Sequence, residues 1–171
     1  MLLLQTERLF INSPALEDID DWHALHSDPD VMQYIDGARQ RRTIRQWLKQ
    51  DIAHQNKYGF SMGSVFRKES HQFIGRAGIF YRNYEDNQPD IEIGYVLHKT
   101  YWGQGYATEL VQNIIKWGFV NLNFTKLMAI THPENRASQC VLEKSGMKFS
   151  RRVQYQGSDC DFYEITEEKY E

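Results

Sequence analysis

The sequence predicts one α/β (or α+β) domain, built on a mixed, mostly antiparallel seven-stranded sheet with helices on both faces. A length of 171 residues, with 41% hydrophobic and 25% charged residues, is typical of one globular domain with its own core. Short strand-like segments alternate with segments of helical period along the whole chain. No repeat, linker or change in composition divides it, so we expect a single domain over residues 1–171.

The first part of the chain reads as a strand, two helices and a hairpin. Ser13-Pro14 separates the first strand from a helix whose first turn is acidic, and Gly59 follows the second helix at its end. Lys68 to His71 is a polar turn between two strand-like segments. The predicted elements are a strand over 8–12, helices over 16–25 and 41–56, and strands over 60–67 and 72–82.

The second part continues the meander and then crosses over. The strongest helical pattern has apolar residues on one stripe, from Ala107 to Leu122, which indicates a long, half-buried helix between two strands. Gly146 is placed to end the helix that follows. The predicted elements are strands over 91–98, 126–131, 147–155 and 160–166, and helices over 107–122 and 136–145.

Composition and charge exclude several classes of partner. The formal net charge of −3 gives no field for wrapping a polyanion, so we expect no direct binding of nucleic acid. The apolar opening Leu2 to Leu4 is far shorter than the ~20 residues that span a bilayer, so no membrane partner and a cytoplasmic location are expected. Cys140 and Cys160 lack metal-ligand spacing, which predicts no metal site and no disulfide framework.

A glycine-containing segment joins the strand over 91–98 directly to the long helix. It carries Gly103, Gly105 and the small Ala107, which let the backbone approach a ligand closely. Successive backbone N–H groups at a helix N-terminus bind phosphate oxygens without a basic side chain. The same glycines also suit a tight turn with no ligand. Because the dinucleotide-binding and P-loop patterns are both absent, a phosphate ligand here is neither a dinucleotide nor a nucleoside triphosphate.

Three segments, in this order, resemble the GNAT superfamily of acyl-CoA-dependent N-acetyltransferases: residues 91–97, 101–109 and 135–147. Thr6-Glu-Arg-Leu9 is similar to the branch containing the ribosomal-protein N-terminal (alanine/serine) acetyltransferases. The resemblance covers nearly the whole chain. It implies direct transfer of an acetyl group from acetyl-CoA to an amine, and it leaves both a monomer and a homodimer open.

The resemblance also implies how acetyl-CoA is held. The loop would bind the pyrophosphate through backbone amides, and the strand end would pair with the pantetheine arm. Trp102 stands where the family usually has Gln or Arg, so no side-chain contact to phosphate is expected there. Asn135 would hold the arm from the other side, although its simpler role is a helix N-cap. The implied binding residues are Tyr95, Val96, Leu97, Gly103, Gln104, Gly105, Tyr106, Ala107, Thr108 and Asn135.

Two residues are implied in the chemistry, which needs a neutral amine and stabilisation of the departing thiolate. Glu92 matches the family's general base, whereas strand alternation alone would make it a solvent-facing carboxylate. Leu142 occupies the position of the family's usual tyrosine acid. Ser138 matches a serine that steadies the thiolate in the ribosomal branch; its alternative role is an ordinary first-turn serine.

The acceptor is predicted to be a protein or peptide N-terminal α-amine. A small amine, such as a polyamine or an aminoglycoside, is the alternative within the enzymes, and the cluster of Glu85, Asp86 and Asp90 is the one acidic group that would favour it. A catalytically poor acyl-CoA-binding module is the alternative outside them, because of Leu142. The aromatic residues Tyr34, Trp47, Tyr81 and Tyr84 are candidates for the wall of an acceptor pocket, or for ordinary packing.

Overall fold

The computed structural model describes residues 1–86 and 88–170, and within them eight strands form one sheet in the order β1-β2-β3-β4-β5-β6-β8-β7. Neighbouring strands are antiparallel except for β5 and β6, which are parallel. The strands are β1 (Leu2–Gln5), β2 (Leu9–Asn12), β3 (Met62–Arg67), β4 (Phe73–Tyr81), β5 (Ile91–Leu97), β6 (Lys126–Thr131), β7 (Lys148–Tyr155) and β8 (Ser158–Thr166). The helices are α1 (Ile19–Ser27), α2 (Arg41–Tyr58), α3 (Tyr106–Val120) and α4 (Arg136–Lys144).

The predicted fold class is confirmed, with one more strand than the seven expected. The additional strand is β1, which pairs antiparallel with β2. Thr6 closes the hairpin between them, since its N–H donates to the Leu9 carbonyl at 2.9 Å and its Oγ1 accepts from the Leu9 N–H at 3.0 Å. The run Leu2 to Leu4 is too short and too uniformly apolar to show the alternation by which the other strands are recognised.

The two faces of the sheet are packed differently. Helix α3 buries Leu110 and Ile114 against Ala77 and Ile79 of β4, in one large apolar core that α4 extends. On the opposite face, α1 and α2 bury smaller apolar clusters together with a charged pair, Arg76 and Asp51, whose Nη2 and Oδ2 atoms lie 3.1 Å apart. Because β5 is covered on both sides, residues of both parities at its start, Ile91, Glu92 and Ile93, are buried.

The sheet opens between β5 and β6. Strand β5 pairs with β4 from Ile91 to Leu97, but it shares a single register pair with β6, Glu92 with Met128. Beyond Glu92 the two parallel strands separate, which leaves the inner edge of β5 without a strand partner. The gap opens toward the loop that begins α3. No helix within residues 1–86 and 88–170 is long and apolar enough to cross a bilayer.

Candidate active site

The loop before α3 presents a series of backbone amides. Gly103 and Gly105 have φ of +70° and +80°, a left-handed conformation that favours glycine, and Gly105 is the N-cap of α3. The first backbone bond of the helix runs from the Glu109 N–H to the Gly105 carbonyl at 3.0 Å. Within the described part of the chain, the amides of residues 103–108 have no backbone acceptor. They can therefore bind an anion, and the helix dipole adds to the attraction.

The side chains of this loop turn away from those amides. The Trp102 indole N–H donates to the Leu97 carbonyl at 2.9 Å, and the Gln104 amide donates to the Thr100 carbonyl at 2.8 Å. The Tyr106 ring is packed in the apolar core. A ligand at this loop would thus meet the backbone amides rather than these side chains.

A clamp of side chains, Thr6, Arg8 and Glu109, fixes the loop to the β1–β2 hairpin. The Glu109 carboxylate accepts from Thr6 Oγ1 at 2.5 Å, from the Arg8 backbone N–H at 2.8 Å and from Arg8 Nε at 2.6 Å. Arg8 Nη1 also donates to the Gln104 carbonyl at 3.0 Å, and its guanidinium lies 4.2 Å from the centre of the Tyr106 ring. Burial alone would raise the pKa of Glu109, but these hydrogen bonds outweigh it and lower the pKa.

Sequence reasoning missed this clamp. The available signal was the motif Thr6-Glu-Arg-Leu9, which supported the resemblance but was given no structural role. Nothing local to Arg8 indicates a partner at Glu109, since the two residues come together only when β1 and β2 pack beside the start of α3.

Glu92 lies on β5 at the last pair before the gap, on the face covered by α1 and α2. Its residue is only 9% exposed, so it is not the solvent-facing carboxylate that alternation alone would give. Burial raises the pKa of Glu92 to about 7; the charge of Arg82 opposes this shift and that of Asp90 adds to it. No hydrogen bond to this carboxylate forms within residues 1–86 and 88–170, so no protein donor in the described residues occupies its oxygens.

Aromatic rings lie beside Glu92, and one of them is hydrogen-bonded to a buried ion pair. Phe80 pairs with Glu92 in the β4–β5 register, and Tyr84 stacks on Phe80 with ring centroids 5.0 Å apart. The Tyr84 hydroxyl donates to Asp51 Oδ1 at 2.7 Å, which ties it to the Asp51–Arg76 pair. Tyr84 therefore contributes to the wall beside Glu92 while its hydroxyl is already engaged.

The acidic group singled out in the sequence is largely neutralised. Lys57 Nζ lies 2.6 Å from Asp86 Oδ2, and Arg82 Nη1 lies 3.4 Å from Asp90 Oδ2.

Tyr34, a candidate for the wall of an acceptor pocket, stacks on His132 with ring centroids 5.2 Å apart, which joins the segment after α1 to the end of β6. No group of three or more potential metal ligands occurs among the residues that the structure describes.

Ser138 lies in the first turn of α4, on the face covered by α3 and α4. The Asn135 side chain caps this helix, since its Oδ1 accepts from the Ser138 N–H at 3.1 Å. The Ser138 hydroxyl lies 2.7 Å from the hydroxyl of Tyr95, which extends from β5. Burial raises the pKa of Tyr95 to about 12, although its bond to Ser138 opposes the shift. Leu142 is 1% exposed and packs in the apolar core.

The two candidate catalytic residues approach the gap from opposite faces of the sheet. Glu92 and Val96 share the α1/α2 face with Arg76, whereas Tyr95 shares the α3/α4 face with the apolar core. No hydrogen bond joins Glu92 to Ser138 in the described part of the chain. Between them runs the unpaired edge of β5, formed by the backbone of residues 93–97.

Known proteins with a similar sequence place the chain in a family. Residues 8–148 match the model of the acetyltransferase (GNAT) domain. The uncharacterized protein YkkB of Bacillus subtilis is 34% identical over 164 residues, which cover 94% of each chain.

Solved structures share the fold over the whole chain. An acetyltransferase of the GNAT family from Bacillus anthracis superposes with a TM-score of 0.83 at 26% identity and covers 98% of this chain and 99% of its own. Two more distant structures share the fold alone. They are ribosomal-protein-S5-alanine acetyltransferase from Vibrio fischeri (TM-score 0.78, 17% identity, 100% and 99% covered) and aminoglycoside acetyltransferase AAC(6')-Ib with coenzyme A (0.79, 14%, 95% and 96%). With 141 of its residues inside the family model, the chain belongs to the GNAT family and is an N-acetyltransferase.

Proposed function

We propose that this N-acetyltransferase moves the acetyl group of acetyl-CoA to the N-terminal α-amine of a protein or peptide, with Glu92 as the general base. The observation that supports this most strongly is the buried Glu92 carboxylate, whose pKa is raised to about 7 at the edge of the gap. A general base with a pKa close to the working pH is largely ionised, so it can accept a proton, and is still basic enough to hold it.

The basicity of Glu92 suits an α-amine better than an alkylamine. An α-amino group has a pKa of about 8, so passing its proton to a carboxylate of pKa about 7 costs roughly a factor of ten. The same transfer from an alkylamine with a pKa of about 10.4 costs a factor of roughly 2,500. An α-amine therefore loses its proton to Glu92 at a smaller cost than the alkylamine of a polyamine does.

The loop before α3 and the unpaired edge of β5 offer backbone groups that suit coenzyme A. The free amides of residues 103–108 would hold the pyrophosphate, and the unpaired edge at Tyr95, Val96 and Leu97 would pair with the amide groups of the pantetheine arm. Asn135 uses its Oδ1 as a helix cap, which leaves its Nδ2 group to donate to the same arm. Acetyl-CoA would supply the activated thioester, so the protein needs no covalent intermediate.

The charge around the acceptor side also favours a singly charged amine. Asp86 and Asp90 already pair with Lys57 and Arg82, so they offer little free negative charge to a polycation. Proteins that share the fold include an acetyltransferase named for ribosomal protein S5 alanine and one named for aminoglycosides, so the fold alone does not choose between these acceptors.

The proposal is tested by following thiol release from acetyl-CoA with two pools of acceptors. One pool holds short peptides with varied free N-termini, and the other holds polyamines and aminoglycosides. Release with the peptides alone is the expected result. Release with the second pool alone would overturn the proposed acceptor while leaving acetyl transfer intact.

A matched pair of variants separates an enzyme from a binding module. Glu92→Gln should remove most of the thiol release and keep coenzyme A binding. Glu164→Gln is the control, because Glu164 lies in the same row of the sheet, paired with Met128, and carries its own partner Lys126 at 2.9 Å. If the wild-type protein binds coenzyme A and releases no thiol with either pool or with folded proteins as acceptors, the chain is a binding module.

A further inference from the structure

We propose that Tyr95 positions the leaving-group residue of the transfer: its phenol holds the Ser138 hydroxyl so that Ser138 donates a hydrogen bond to the departing thiolate. This inference rests on the proposed acetyl transfer and on the role toward the departing thiolate that the family resemblance implies for Ser138. It adds a role for the side chain of a residue whose backbone alone was expected to meet acetyl-CoA.

The geometry brings the two hydroxyls into contact where β5 lacks its β6 partner. Tyr95 lies three positions beyond Glu92, where β5 no longer has a partner in β6, and its hydroxyl lies 2.7 Å from Ser138 Oγ. The carbonyl of Ser138 is a weaker second acceptor for the phenol, at 3.4 Å. The phenol thus links the edge of β5 to the first turn of α4, at the height of the gap.

A pair of hydroxyls joined by one hydrogen bond keeps one O–H free. When Tyr95 donates to Ser138 Oγ, the Ser138 proton can point outward, and the serine oxygen is polarised by the bond that it accepts. The pKa of Tyr95, raised to about 12 by burial, keeps the phenol protonated at neutral pH, so the donor in this arrangement is always available.

The position of the phenol compensates for a loss elsewhere in the same helix. Leu142, in the family's usual tyrosine position, is buried in the apolar core and has no side-chain proton to donate to the leaving group. Tyr95 brings a phenol to the first turn of α4 from the facing strand instead. Because Ser138 Oγ is the atom that it contacts, the phenol acts through the serine.

Tyr95 and Ser138 keep their protons throughout the transfer. The amine nitrogen forms a bond to the acetyl carbon, the carbon–sulfur bond breaks, and its electron pair stays on sulfur. The amine reacts in its neutral form, after Glu92 has passed the ammonium proton on to water, and the second proton, lost as the amide forms, goes to the Glu92 carboxylate. Ser138 stabilises the thiolate by a charge-assisted hydrogen bond, and solvent later protonates the thiolate as Glu92 returns its proton to water.

Four variants test the proposal in steady-state kinetics: Tyr95→Phe, Ser138→Ala, the double variant and Tyr163→Phe. Tyr95→Phe keeps the ring that packs on the core, so the fold is preserved. Tyr163→Phe is the matched control, because the Tyr163 hydroxyl lies 3.4 Å from Glu143 Oε1 on the same helix and, within residues 1–86 and 88–170, makes no hydrogen bond to Ser138.

The expected kinetic result is a loss of kcat that is shared by the two residues. Tyr95→Phe removes the hydrogen bond that orients the serine donor of a charge-assisted bond, so we expect about a tenfold lower kcat, with the KM for acetyl-CoA nearly unchanged. In the Ser138→Ala background, Tyr95→Phe should have no further effect, since it acts through the serine. Multiplied losses in the double variant would overturn the proposal.

A binding measurement gives a readout that a purely structural role would not change. Coenzyme A should bind more tightly as pH rises through the ionisation of its thiol, because Ser138 favours the thiolate, and Tyr95→Phe should weaken that pH dependence. Desulfo-coenzyme A, which has no thiol, should bind alike to both proteins at every pH. An unchanged pH dependence in Tyr95→Phe would overturn the proposal, whereas failure of the wild type to bind coenzyme A or release thiol would instead refute the proposed function.

Discussion

The donor loop and the catalytic pair are built in opposite ways. The loop over residues 103–108 offers backbone amides, and its own side chains turn aside to bond neighbouring carbonyls or to fill the core. The catalytic candidates Glu92 and Ser138 are side chains from different elements, on opposite faces of the sheet. The loop is therefore sensitive to backbone conformation and the pair to side-chain identity, so substitutions in the two regions should affect different kinetic constants.

Glu92→Gln tests the side-chain region with the largest expected effect. Removing the general base should lower kcat for a peptide acceptor at least ~100-fold at pH 7, while the Kd for coenzyme A stays the same. Steady-state kinetics and calorimetric titration check the two halves of this prediction. A parallel loss in coenzyme A affinity would show that Glu92 belongs to the donor region instead.

The same substitution should stabilise the fold at high pH. The pKa of Glu92 is raised from 4.5 to about 7, so the folded protein favours the neutral carboxyl. The contribution of Glu92 to the free energy of unfolding is then fully present below about pH 4.5 and is lost as the pH rises through about 7. The loss occurs because this carboxyl ionises at a lower pH in the unfolded chain than in the folded protein. Glutamine avoids that loss, so the gain in unfolding free energy of Glu92→Gln should be about 2 kcal/mol larger at pH 8 than at pH 5. Urea unfolding at both pH values measures it, and equal gains at both would contradict the raised pKa.

Gly105→Ala tests the backbone region. An alanine at φ +80° is strained, so we expect the loop to shift and the KM for acetyl-CoA to rise about tenfold, with kcat little changed. Gly157→Ala is the matched control, because Gly157 also has φ +80° but lies in the β7–β8 turn with open space around it. The control should lose about 1 kcal/mol of stability and keep its KM. A tenfold loss of kcat in Gly105→Ala would mean that the loop serves the chemistry directly.

Arg8→Ala tests whether the clamp belongs to the donor region, with the smallest expected effect. Arg8 holds the loop through the Gln104 carbonyl and Glu109 but is itself part-exposed, so the KM for acetyl-CoA should rise about threefold. Glu109→Gln keeps the shape of the partner and should give a similar rise. Lys99→Ala, which removes the exposed Lys99–Asp30 pair close to the same loop, serves as the control and should leave the KM unchanged.

The sequence was most informative where local rules govern the structure. Two glycines between a strand and a helix predict the loop, because left-handed backbone there favours glycine, and Asn135 before a helix predicts the cap that the structure contains. The strand positions follow from alternation, except for β1, whose short apolar run shows none.

The sequence was least informative where distant residues meet. Strand alternation predicts a solvent-exposed Glu92, but the residue is buried. The reason is that α1 and α2 cover the face of the sheet on which it lies. The contacts of Tyr95 with Ser138 and of Arg8 with Glu109 join elements 43 and 101 positions apart, and no local pattern encodes such pairings. Both depend on how the helices pack on the sheet.

The pH profile of kcat/KM for a peptide acceptor, compared between the wild type and Glu92→Gln, tests the central claim most directly. If Glu92 is the general base, the wild-type profile rises with pH through an ionisation at about 7. The residual activity of Glu92→Gln should lack that ionisation and keep the one that belongs to the acceptor amine. The same ionisation near pH 7 in both proteins would contradict the account and assign the base to another group.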